Sequence, residues 1–134
     1  MAQDTETTVM GRIREEIEVD GRKCWTLFDS GAQNSYITRD AASELIVRTL
    51  PQSRQIKLGG ANHQITETCI VVADVSGHSL DFQAWVIDEI GRDENGRQID
   101  VLFGALAMQL WNIRLDMRNE RLDLSRSSTD FVEF

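Results

Sequence analysis

Apolar and polar positions alternate along much of this chain. Over residues 11–19, Ile13, Ile17 and Val19 fall on one side and Arg12, Arg14, Glu16 and Glu18 on the other, with Glu15 interrupting the apolar side. A period of two predicts a strand with one buried face. Asp20-Gly21 is a tight-turn pair, and 23–28 predicts a returning strand that runs out at Asp29-Ser30-Gly31-Ala32. After Ile37 the period changes. Ala41, Ala42, Leu45 and Ile46 have helical spacing, with Thr38 placed to cap the first turn and Pro51 marking the exit. Strands are predicted at 55–58, 65–75 and 80–86, joined by turns at Gly59-Gly60-Ala61-Asn62 and Ser76-Gly77. A charged loop then occupies 88–98 and a short buried strand 99–103. Gly104 breaks that strand, a short helix follows over 105–111, and a hairpin over 113–124 turns at Arg118-Asn119. The sum is about seven short strands and two short helices, which makes a mostly-β barrel or sandwich.

Composition narrows the function. The chain has 134 residues, about one domain, with no internal repeat and no low-complexity tract. Residues 1–8 read as a flexible polar N-terminus, 9–125 as the domain, and 126–134 as a tail that forms either an edge strand or a loose end. A formal net charge of −8 excludes a general binder of phosphate backbones, which needs a basic face. No stretch reaches the ~18 apolar residues of a membrane span, and the N-terminus lacks the apolar run of a signal peptide. The expectation is a cytoplasmic protein that touches neither membrane nor nucleic acid. Cys24 and Cys69 are too few for a disulfide framework and are expected as free buried thiols.

Metal chemistry finds no support. Cys24, His63, Cys69 and His78 lack the short spacings of a zinc site. In a calcium-loop frame Asp93, Asn95 and Gly96 fill three positions, but Leu102 stands where the terminal Glu is required. Trp25, Trp85 and Trp111 are expected in the core or at an interface. No cofactor is called for.

The informative segment is Leu27-Phe28-Asp29-Ser30-Gly31-Ala32-Gln33-Asn34-Ser35-Tyr36-Ile37. Asp-Ser-Gly alone is ordinary turn composition. Here it follows an apolar strand and precedes Ala32 and the apolar Tyr36-Ile37 pair. Such a loop can aim backbone N–H groups at the Asp29 carboxylate, and Gly31 suits the turn.

This stretch resembles the Asp-(Ser/Thr)-Gly-Ala loop of the retropepsin-like aspartic proteases, of retroviral and retrotransposon type. The resemblance extends over roughly 13–124, because Leu58-Gly59-Gly60-Ala61-Asn62-His63 stands in the flap position. Val101-Leu102-Phe103-Gly104, followed by 105–111, stands in the strand–helix position. It implies the acid-protease β-barrel with a short C-terminal helix. It implies that Asp29 is catalytic, that Ser30 interlocks two active-site loops across a dimer, and that Gly31 and Ala32 present loop backbone. It further implies that Gly59, Gly60 and Ala61 form a flap tip over the substrate and that Gly104 lets its strand pass close to the Asp loop. The chain departs from many relatives in being neutral at Gln33-Asn34 and at Ala105-Leu106, so an ion pair that ties these loops in some relatives is missing.

Aspartic-protease chemistry needs two carboxylates sharing one proton, one to activate water and one to hydrogen-bond the scissile carbonyl. This chain offers one such motif. The expectation is therefore a two-fold homodimer that brings two Asp29 side chains together and hydrolyses an extended peptide. The alternative is a non-catalytic dimeric peptide-binding or dimerisation module on the same fold.

Overall fold

A computed structural model describes residues 11–127 together with Phe131 and Glu133. The proposed flexible stretch 1–8, and with it 128–130, Val132 and Phe134 of the tail, lie outside the described residues. The elements are β1 (Arg12–Val19), β2 (Arg22–Asp29), β3 (Tyr36–Thr38), β4 (Arg48–Leu58), β5 (Ala61–Val75), β6 (His78–Ile87) and β7 (Val101–Phe103). They continue with helix α1 (Ala105–Trp111), β8 (Arg114–Asp116) and β9 (Arg121–Asp123). The fold is mostly β, with one short helix among the described residues. No helix in it is long and apolar enough to cross a membrane.

Alternation puts Ile13, Ile17 and Val19 of β1 inward and does the same on β5 with Ile65, Cys69, Val71, Ala73 and Val75. Glu15, on the inward side of β1, accepts a hydrogen bond from the Ser76 hydroxyl. Three hairpins turn on residue pairs with positive φ at both positions: Asp20-Gly21, Gly59-Gly60 and Ser76-Gly77. That is the geometry whose twist matches a right-handed strand pair.

Seven strands join in the order β1-β2-β7-β3-β6-β5-β4, and β1 also meets β5 at Glu18↔Asp74 and Val19↔Ala73. Two features of this order position the site. β7 runs parallel to β2 and antiparallel to β3, so it lies between them. The segment 30–35, which joins β2 to β3, therefore has to cross the end of β7. Beneath that crossing, Phe103 stacks on Phe28 with ring centroids 4.8 Å apart and on Phe82 at 4.7 Å. These rings sit in the main core, and a second cluster gathers Leu27, Tyr36, Ile65, Ile87, Ile99 and Leu102.

The structure departs from the sequence reading in one region. The helix expected around 41–46 does not form: residues 39–45 are a run of turns. Thr38 does act as a cap, its Oγ1 accepting the Ala41 N–H at 3.2 Å. Ala41 and Ala42 are buried by these turns alone, while Ile46 stands in solvent and the chain is already extended at Arg48. Pro51 does not end an element but lies inside β4, which is 11 residues long rather than confined to 55–58. Proline is tolerated there because β4 is an edge strand and its register with β5 shifts between Thr49 and Arg54. At the next turn Ala61 already belongs to β5, leaving Gly59 and Gly60 as the tip.

Candidate active site

Asp29 is the last residue of β2 and is buried, with 7% of its surface exposed. A buried carboxylate needs partners. Gly31 N–H donates to Oδ1 at 2.8 Å, and the Arg12 Nε lies 3.4 Å from Oδ2. Arg12 reaches this carboxylate because the two residues face each other across the β1–β2 ladder, Arg12↔Asp29 being its last pair. The guanidinium itself is mostly exposed, so this pair is weak by energy and significant by position.

The loop after Asp29 is held on both sides. Ala32 N–H donates to the Asp29 carbonyl at 3.2 Å, which closes the tight turn. Ser30 faces the start of β1: its backbone N–H donates to the Gly11 carbonyl at 3.0 Å and its Oγ accepts the Gly11 N–H at 2.8 Å. On the other side the loop is tied to the strand–helix junction. Ala105 N–H donates to Ala32 O at 2.7 Å, Leu106 N–H to Gln33 O at 3.1 Å, and Gly104 N–H to Ser35 Oγ at 3.0 Å. The loop is thus fastened to the helix by backbone bonds at positions whose own side chains are neutral.

Gly104 stands where the contact is tightest. A Cβ there would lie 2.2 Å from the Asn34 carbonyl oxygen and 2.9 Å from that of Ala32. Its φ of −94° is open to any residue, so the constraint is space and not backbone conformation.

Gly59 and Gly60 sit at the tip of the β4–β5 hairpin with φ of +59° and +83°. The part of that hairpin next to the tip shares a core with the Asp loop. Ile56 and Leu58 of β4, and Ala32 of the loop, all pack against the second cluster. Arg54 lies over the Trp85 ring at 5.6 Å and fastens the same strand to β6.

Residues 16–106, well over half of the chain, match the family model of the aspartyl proteases. The chain belongs to the aspartyl protease family. Its solved neighbours are of the retropepsin-like kind. The retroviral protease-like domain of Ddi1 from Leishmania major superposes with a TM-score of 0.59 at 18% identity, over 84% of this chain and 86% of that one. The EIAV protease, solved with the inhibitor HBY-793, gives 0.51 at 16% identity over 81% and 95%. At such identities the likeness is one of fold. No curated protein matches by sequence.

Within this aspartyl protease fold three residues of the site escape the motif. Arg12 could have been found from the sequence by counting back from the Asp20-Gly21 turn, which fixes its register opposite Asp29. Ser35 and Gly11 carry no such signal, because their partners are backbone groups brought in by the topology. The four Cys and His residues do not assemble: Cys24 and Cys69 are buried free thiols in the main core, and no group of metal-ligating side chains occurs among the described residues. The 88–98 loop folds around Asp93, whose carboxylate accepts Trp25 Nε1–H and the N–H groups of Asn95 and Arg97.

Proposed function

We propose that this chain is an aspartic endopeptidase that works as a two-fold homodimer, each protomer a barrel supplying one Asp29. The observation that carries this reading is Asp29 itself, a buried carboxylate at a strand end, oriented by the Gly31 N–H in a loop fastened on both sides. In the dimer the two carboxylates share a proton. One takes a proton from a bound water as that water attacks the scissile carbonyl, and the other hydrogen-bonds the carbonyl oxygen. The substrate lies extended beneath the Gly59-Gly60 tips and pairs through its backbone. The Ser30 hydroxyl donates only a long hydrogen bond, 3.4 Å, to the Gly11 carbonyl. The hydroxyl proton is the one we assign to the link between the two loops. Each chain carries −8, so pairing strengthens with added salt.

A second reading, a non-catalytic dimeric peptide-binding module, draws on the neutral side chains at Gln33-Asn34 and Ala105-Leu106, which leave the two loops without an ion pair between them. Cleavage of a peptide library at mildly acidic pH separates the two. The peptidase predicts cuts that fall by about 10³-fold or more in Asp29→Asn. The module predicts peptide binding without cuts, and cleavage that survives Asp29→Asn removes Asp29 from the chemistry.

A further inference from the structure

Five of the large apolar side chains exposed among the described residues stand together. Ile46, Ile70 and Val72 are 86%, 57% and 54% exposed and line one cavity, and Leu106 and Leu110 line the next. Gln83 lines both, so the two adjoin at that residue. Neither strand nor helix needs these residues for its own burial. Ile70 and Val72 take outward positions on β5, where the alternation that sends Cys69, Val71 and Ala73 inward calls for polar side chains. Leu106 and Leu110 are one turn apart on α1, whose buried residue is Met108. A contiguous apolar face of this kind on a soluble domain marks an interaction site.

Its rim is acidic. Asp20 and Glu44 line the first cavity, and Asp81 stands directly across the β5–β6 ladder from Val72. None of the three has an ion-pair partner among the described residues, and Arg48 is the single cation of the lining. This charge disfavours a second copy of a chain that is itself −8, and it disfavours an anionic lipid surface.

We propose that this face docks a partner protein through an amphipathic helix bearing a stripe of Leu- or Ile-like side chains flanked by Lys or Arg. The apolar stripe fills the two cavities across Gln83, and the cations meet Asp20, Glu44 and Asp81. The proposal is independent of the peptidase reading, since no residue it uses acts on a peptide bond.

The test is fluorescence anisotropy on the Asp29→Asn chain. One labelled Leu/Lys peptide has Leu at i, i+3, i+4 and i+7. A control peptide has the same composition but no stripe. The striped peptide should bind at least about tenfold more tightly than the control. Ile70→Glu and Leu110→Glu, both at exposed positions, should each weaken it about tenfold although each adds negative charge. Backbone amide shifts should centre on Ile70, Val72, Leu106 and Leu110. Three results overturn the proposal: equal binding of the control, undiminished or tighter binding by the Glu variants, or amide shifts confined to the Asp29 loop and hairpin tip. It also fails if Ile70→Glu lowers the sedimenting mass of the protein alone, because a second copy then covers the face.

Discussion

Replacing Gly104 by alanine adds one methyl group to the point where the Asp loop and the strand–helix junction touch. That methyl would sit 2.2 Å from the Asn34 carbonyl oxygen, whereas an ordinary contact begins near 3.4 Å, so the two segments must part by roughly 1 Å. The obstacle is backbone and cannot rotate aside. Overpacking of this kind costs about 1–3 kcal/mol. Parting the segments also stretches the Gly104 N–H to Ser35 Oγ bond, 3.0 Å long and buried, and a lost bond of that type costs about 1 kcal/mol more. The expected destabilisation is about 2–4 kcal/mol, a large share of the ~5–15 kcal/mol that holds a domain together. In urea at fixed protein concentration this lowers the unfolding midpoint by about 1–2 M. Activity should fall further than stability, because the bonds from Ala105 and Leu106 that position the loop are strained even in folded molecules. A midpoint within about 0.3 M of the wild type, with an unchanged amide spectrum, would refute the close approach and with it this account of how the loop is held.

Three further outcomes follow from other parts of the molecule. Gly60→Val forces a β-branched residue to a φ of +83°, so cleavage should drop severalfold while the urea midpoint moves by less than about 1 M, since the tip carries no core contacts. Burial pushes the Cys24 thiol up to about 11, and burial raises Cys69 as well. Native protein should therefore resist thiol reagents at pH 8. Above pH ~9 the unfolded chain sheds these protons before the folded one does, so stability should decline by up to about 1.4 kcal/mol per pH unit toward pH 11 through Cys24, with Cys69 acting in the same direction. Asp93 is held below the ordinary carboxylate range by the Arg97 N–H first, then by Trp25 and Asn95. Its contribution is present above the usual carboxylate value and lost as pH falls through its lowered one. Acid, or Asp93→Ala at neutral pH, should lower the amide protection factors, taken against the intrinsic exchange rate at each pH, at Asn95 and Arg97 while leaving those in β5 unchanged.

The legible parts of this fold are those where one side of an element meets water. β1, β5 and β6 each bury one face, and their period of two shows it, whereas β2 is buried on both faces from Thr26 to Asp29. The turn pairs give the hairpin registers, and through them the pairing of Arg12 with Asp29. The misread segment, 38–51, has apolar residues at helical spacing, but Ala41 and Ala42 are small enough to be buried by turns, and Pro51 is excluded only from strands that need its N–H. Nothing in alternation says which strand lies beside which. The parallel pairing of β7 with β2 and its antiparallel pairing with β3 were therefore beyond the pattern, although they are what force the 30–35 segment across Gly104. The position of Asp29 was readable because one motif compresses strand end, turn and donor groups into four residues. The fastening of its loop was not, because the Ser30 and Ser35 hydroxyls and the loop carbonyls all meet backbone N–H groups, and backbone is the same at every residue.

The central claim is that one active site takes Asp29 from two chains. Mixing wild-type protein with increasing amounts of Asp29→Asn, at constant total concentration and after equilibration, tests it most directly. If two carboxylates are needed, activity per wild-type chain should fall in proportion to the wild-type fraction, reaching about half at equal amounts. Activity per wild-type chain that stays constant across the mixture would mean that a single protomer carries the chemistry alone.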